Sequence, residues 1–214
     1  MRISRLLITI SIILTICSCA SAEQQIPPDS FATLQETFTT MRDRLWETSE
    51  DFWHNGEYDR CIAAMRLITE IDPYDTQAYD DAAWLMESDL RDDEAEAFLL
   101  KGLRNNPDTS DLYFSLGRFY YLHQRFNEAV NYYETATSFE VPEFVWHSLA
   151  HAYEHAGLTT DALDIWIQRE AVDPADPVPW NQITRIMQGE PASDVPGFIS
   201  RAREQRRAEE KSPQ

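Results

Sequence analysis

The pattern of apolar and polar positions along this chain is self-similar. A small residue precedes an apolar run at Cys61, Ala95, Ala129 and Ala162, spaced 34, 34 and 33 residues. A large apolar or aromatic residue recurs at Leu45, Tyr79, Tyr113, Trp146 and Trp180, spaced 34, 34, 33 and 34. Prolines stand at Pro73, Pro107, Pro142 and Pro174, where a helix must already have ended, because proline lacks the N–H and crowds the preceding turn. Three sets of markers thus keep one period. Each period has room for two short helices, neither of which can bury its apolar stripe alone, whereas a stack of such units builds a continuous core.

The third unit carries Tyr113, Leu116, Gly117, Tyr120, Phe126, Ala129, Tyr133 and Ala136, and the fourth Trp146, Leu149, Ala150, Tyr153, Gly157, Ala162, Trp166 and Pro174. The first has Phe52, Gly56, Tyr58, Cys61, Met65 and Pro73, and the second Tyr79, Ala82, Ala83, Met86, Ala95, Leu99 and Pro107. On these residues the chain resembles the tetratricopeptide repeat family over about residues 42 to 176. It departs from that pattern at Ser49 and Arg169, where small residues are usual, and in the Asp-rich turn of the second unit. The resemblance implies an all-α fold: a right-handed α-solenoid of about four tetratricopeptide-like helix pairs with one concave wall. Small residues at Ala83, Gly117 and Ala150 are expected to let helices approach closely, and Tyr120, Tyr133, Tyr153 and Trp166 to fill the space between pairs. Most aromatics are accordingly expected in the core.

The organisation that follows is a signal segment at residues 1–22, a linker and N-terminal helix at 23–41, the repeats at 42–188, and a linker with a charged tail at 189–214. The N-terminal helix is expected to open near Ser30, an N-cap type. Pro177 to Gln188 reads as a fifth first-helix, with Trp180 and Ile183 in register. Phe198 to Glu210 reads as an amphipathic C-terminal capping helix.

Charge narrows the partners. Eighteen Lys and Arg face 37 Asp and Glu, a formal balance of -19, so phosphate backbones and anionic membrane surfaces are repelled and nucleic acid is not an expected partner. Arg2 and Arg5 followed by the apolar stretch Leu6 to Ile16 read as an export signal, shorter than the roughly 20 residues of a membrane span. Two processing routes overlap at its end. Ala20-Ser21-Ala22 fits ordinary cleavage before Glu23, whereas Ile16 to Cys19 resembles a bacterial lipobox with Cys19 lipidated, Cys17 being its departure. Either route exports the body, to the periplasm or a membrane-anchored envelope position in a bacterium and otherwise by secretion. Beyond the signal only Cys61 remains, at a small core position, so no intramolecular disulfide is expected there.

Candidate chemistry is sparse. His151-Ala152-Tyr153-Glu154-His155 spells an inverted zinc-protease motif, but it lies inside a repeat whose aromatics are already explained, with about 60 residues following and no distant carboxylate ligand marked. His147, His151 and His155 form an i, i+4, i+8 series whose ends are about 12 Å apart, so one ion can take only an adjacent pair. A metal- or small-ligand-binding protein is therefore the alternative function. No glycine-rich phosphate loop, nucleophile elbow or Cys-x-x-Cys occurs after the signal; no cofactor and no catalysis is expected.

In the family, ligands lie along the wall formed by each unit's first helix. Carried over by position, the resemblance places Trp46, Glu50, Trp53, Asp80, Trp84 and Glu87 in the early half and Phe114, Arg118, Tyr121, His147, His151, Glu154, His155, Asn181 and Arg185 in the later half. For the tryptophans two readings stand: an exposed groove, or packing against a long N-terminal helix. The partner-binding set is Arg118, His147, His151, Asn181, Arg185, Trp84, Phe114 and Tyr121. It resembles the carboxylate clamp of peptide-binding tetratricopeptide domains and implies a protein or peptide partner with an acidic or carboxylate end. Affinity is then expected to rise on mild acidification as histidine charges. Replacing Arg118 and Arg185 is expected to abolish binding with stability nearly unchanged.

Overall fold

The computed structural model describes residues 28–192, and among them every regular element is helical: α1 (Pro28–His54), α2 (Tyr58–Ile71), α3 (Thr76–Ser88), α4 (Asp92–Asn105), α5 (Ser110–Leu122), α6 (Phe126–Ala136), α7 (Glu143–His155), α8 (Thr159–Val172) and α9 (Pro177–Met187). Contacts divide the chain into two units, Met1–Thr37 and Phe38–Gln214. The described part of the first is helical, with Thr33 and Thr37 hydroxyls donating back to the carbonyls of Asp29 and Thr33. The helix begins at Pro28 rather than at an N-cap near Ser30, and residues 41 and 42, taken as a boundary, both lie within α1. The signal at 1–22, Cys19 and the capping helix at 198–210 lie outside the described residues.

The second unit is a helical repeat solenoid. From α2 to α9 each helix packs on the next, and the first helices α3, α5 and α7 also touch in succession. One core cluster runs from Cys61 to Ala152, and a smaller one joins Ala150, Trp166 and Ile183. Close approach at Gly117 is visible directly: a Cβ there would meet the Tyr133 ring at 2.5 Å. Gly102, which the sequence pattern had not marked, would likewise meet Tyr79 at 2.6 Å. Ser49 is accommodated where a smaller residue is usual because its hydroxyl donates to the Trp46 carbonyl, while its own carbonyl accepts from Cys61 Sγ.

The four turns within the helix pairs share one device. Gly56, Leu90, Gln124 and Gly157 all have φ between 59° and 79°. The next N–H in each turn reaches back five residues, to the carbonyls of Phe52, Met86, Tyr120 and Tyr153 at 2.8 to 2.9 Å. This is the Schellman closure, which satisfies orphan carbonyls at a helix C-terminus. Between pairs, aspartates take over: Asp75 and Asp176 cap α3 and α9 by accepting from Ala78 N and Val178 N.

Trp180 departs from expectation. The position kept the period, yet its side chain is exposed while Ile183 beside it is buried. A register position becomes core only when a following helix covers it, and among the described residues none follows α9.

Candidate functional site

The two ends of the first-helix wall have different chemistry. At the early end Trp46, on α1, donates its indole N–H to Asp75 at 3.0 Å and packs against the core. Trp53, about two turns further along, does neither. Its ring stands 5.5 Å from Trp84 of α3, tilted by 37°, and 5.5 Å from Tyr58 of α2, nearly edge-on at 65°. Trp53, Tyr58 and Trp84 stay 39%, 50% and 41% exposed despite this stacking, so much of each ring faces outward. Trp46 and Trp53 lie on the N-terminal helix itself rather than against it: Trp46 is taken up by packing on the core, while Trp53 stacks on Trp84 and both stay partly open.

Two hollows flank that pair. One, of about 450 Å³, is lined by Tyr58, Asp59, Ile62 and Asp89 together with the two tryptophans. The other, of about 310 Å³, is lined by Trp46, Glu50, Cys61, Met65 and Asp81 with the same pair. Burial pushes the Asp81 carboxyl up, against the amide of Gln77, which donates to it at 2.6 Å and lowers it. Cys61 lies at the floor as a free, buried thiol, raised by burial.

At the later end the positive charges are already engaged. Arg118 of α5 donates to Asp80 at 3.1 Å and lies 3.6 Å from Glu87, both on the preceding first helix. Arg185 of α9 repeats the arrangement, donating to Glu154 of α7, to Gln182 and to the carbonyls of Glu190 and Pro191. Arg118 and Glu87, like Arg185 and Glu154, are 31 residues apart, so this is a repeat-to-repeat bridge built twice. Its acids are buried, Glu87 at 2% and Glu154 at 5% side-chain exposure. Glu87 also faces His123, which stacks on Phe119 and approaches Asp92. The bridges escape a reading that assigns side chains to the wall one helix at a time; the shared 31-residue separation is the signal that could have found them.

The remaining predicted residues disperse. His147 approaches Glu143 and Asp176 and lies 5.1 Å from the Trp166 ring, while His151 meets the same ring edge-on and approaches Glu154. His155 instead stacks on Phe126 and meets Tyr121 edge-on. Tyr121 is half-buried, and burial pushes its hydroxyl up to about 12. Phe114 packs between Tyr133 and Phe144 at the edge of a third hollow of about 230 Å³. Asn181 is exposed.

The histidine series does not converge, and no group of three or more His, Cys, Asp or Glu among the described residues can hold a metal ion. Burial lowers the His151 pKa more than Glu154 raises it, with Arg185 and the neighbouring histidines lowering it further. His151 therefore charges at a lower pH than an ordinary histidine, which works against the response to mild acidification that the clamp implies. The two arginines of the implied carboxylate clamp are each engaged with a buried acid of the chain.

The match to known families follows the repeat. The tetratricopeptide repeat profile fits residues 110–140, the unit formed by α5 and α6. Residues 110–140 are thus a tetratricopeptide repeat, and the helix pairs on either side of it continue the same solenoid. No curated protein sequence matches it significantly. Among solved structures it is similar to PilF of Pseudomonas aeruginosa, at 16% identity and TM-score 0.59 over 72% of this chain and 70% of that one. It is similar also to TTC0263, a thermophilic tetratricopeptide repeat protein of Thermus thermophilus, at 16% and 0.54 over 75% and 90%. A third similarity is to a chain in the structure of Naa15/Naa10 bound to HypK-THB, at 16% and 0.56 over 69% of this chain and 23% of that one.

Proposed function

We propose that the chain is an interaction scaffold whose first-helix wall holds a segment of a partner protein, anchored where Trp53 and Trp84 meet. The observation that carries this is the pair itself: two large aromatic rings on successive first helices, each about two-fifths exposed, with a hollow on either side. Buried aromatic anchors dominate binding energy at protein interfaces, and two tryptophans left partly open side by side are the residue type that supplies them. A related fold in a complex, that of Naa15/Naa10 with HypK-THB, supports protein partners in general. Phe114 and Tyr121 stand on the next first helix, α5, each within its own aromatic contacts. Arg118, His147, His151, Asn181 and Arg185 lie on the later first helices α5, α7 and α9, with the arginines held by the chain's own acids.

Capture from an extract of the host's envelope tests the reading. Immobilised wild-type protein is expected to retain a partner identifiable by mass spectrometry, and Trp53→Ala with Trp84→Ala to lose it while the helical circular dichroism spectrum persists. Undiminished capture by the double variant sinks the anchor.

We propose further that the scaffold works outside the cytoplasm, either lipidated at Cys19 or released by cleavage after Ala22. The support is the basic, apolar and small-residue order of residues 1–22. In a bacterial host, Cys19→Ala is expected to shift the protein from the membrane to the soluble fraction. An intact mass corresponding to an unmodified chain from Glu23 would exclude the lipid.

A further inference from the structure

We propose that the hollow walled by Trp53, Tyr58 and Trp84 receives an arginine side chain, so that the partner segment is basic rather than acidic. This rests on the scaffold reading and names its ligand. The two hollows beside the tryptophan pair are lined by four carboxylates, Asp59 and Asp89 in one and Glu50 and Asp81 in the other, and by no lysine or arginine. An apolar occupant fits the rings but brings no donor to a rim of four carboxylates, of which Asp59 and Asp81 already accept from Arg91 and Gln77, and drawing such a rim out of water without further donors is costly. An anionic occupant is repelled both locally and by the balance of -19. A second copy of the chain brings the same negative balance. A guanidinium satisfies both halves of the site, since its face stacks on an indole while its edge donates to a carboxylate.

The fold already uses that combination on its own arginines. Arg125 lies 4.3 Å over the Tyr120 ring and donates to Glu96 and Glu128. Arg169 lies 4.7 Å over Trp146 and donates to Glu143. At the early end of the wall the rings and carboxylates are present without such an arginine among the lining residues. Of two neighbouring cations, Arg60 is committed to Glu57 over the Phe52 ring, whereas Arg91 donates to Asp59 at the rim of the hollow and to Glu94. Of the four lining carboxylates, Asp59 and Asp89 already attract Arg91, and the Asp59 side chain remains 89% exposed beside it.

The test uses purified full-length protein and a fluorescently labelled peptide alternating glycine and arginine, followed by anisotropy. The same peptide with citrulline, which keeps the shape and removes the charge, is expected to bind at least about tenfold more weakly. Trp84→Ala is expected to weaken the arginine peptide by a similar factor, about tenfold, while Trp84→Phe retains most of the affinity. Asp81→Asn with Asp89→Asn is expected to weaken it and to flatten its salt dependence. If Trp84→Ala binds the arginine peptide as well as wild type does, the attraction is diffuse surface charge and the inference falls. Equal binding of the citrulline peptide overturns it too. In either case, partner capture that still depends on Trp53 and Trp84 leaves the scaffold reading standing, whereas capture indifferent to both tryptophans removes the two together.

Discussion

At His151 two effects pull against each other. Its ring sits against Trp166, the most completely buried large side chain of the fourth repeat, and Glu154 alone favours the charged form. Burial prevails, and the folded pKa lies below the ordinary value of 6.5. The unfolded chain therefore binds the proton more tightly than the folded one, so stability is fully present above the unfolded value and falls as the pH drops through it toward the folded value. His151→Gln removes this dependence. Thermal melts taken between about pH 8 and pH 5 are expected to show a smaller loss of Tm on acidification in the variant than in wild type. Parallel curves for the two proteins would mean that the imidazole is solvated after all. The same residue shows what spacing along one helix conceals. His147, His151 and His155 are collinear in sequence, but the first two lie against one indole and the third against Phe126, so neither a metal site nor a proton-driven clamp follows from their order.

Among the elements, the helix pairs were readable because their markers are apolar and small residues whose period survives degeneracy. Ala83, Gly117, Ala150 and Cys61 are all buried or in close contact as the pattern required. The turns were only half readable. Gly56 and Gly157 announce a left-handed residue, but Leu90 and Gln124 occupy the same place with φ of 60° and 59°, and nothing in their chemistry advertises it. For side chains other than glycine that conformation costs roughly 1–2 kcal/mol, a part of which glycine returns through its greater freedom when unfolded. Gln124 is exposed and contributes no core packing, so Gln124→Gly is expected to stabilise the protein by about 0.5–1 kcal/mol in denaturant melts. Leu90 is half-buried, and the packing it loses as glycine offsets the relief, giving a change near zero. A destabilised Gln124→Gly would show that this turn owes its geometry to the glutamine. The continuity of α1 through residues 41 and 42 was unreadable for another reason: the helix outruns the repeat, and a periodic signal ends where the repeat does.

For the whole solenoid, the sequence suggested that the scarce arginines of an acidic protein are reserved for a ligand, and the structure puts them between repeats. Arg118 joins α5 to Asp80 and Glu87 of α3, and Arg185 joins α9 to Glu154 of α7. A solenoid holds together through nearest-neighbour interfaces, so these bridges act on stability wherever they act on binding. Removing one partner of a buried pair strands the other, a loss that reaches about 3–5 kcal/mol for full burial. Arg118 is 23% exposed and Arg185 15%, so partial solvation reduces the expected cost to about 2–3 kcal/mol each. Arg118→Ala is therefore expected to lower the melting temperature rather than leave it unchanged. The charge, not the missing side chain, is the cause, and adding Glu87→Gln is expected to restore about half of the loss by removing the stranded carboxylate. The two sites lie in different repeats without shared partners, so Arg118→Ala and Arg185→Ala are expected to sum within about 0.5 kcal/mol. They are not expected to be equivalent in hydrogen exchange. Arg185→Ala loosens the last described helix, and protection is expected to fall first in α9, whereas Arg118→Ala weakens an interface with repeats on both sides and lowers protection on each. If Arg118→Ala melts with wild type and Glu87→Gln alone is the more damaging change, the arginine is not what holds the buried acid, and it is open to a ligand's carboxylate.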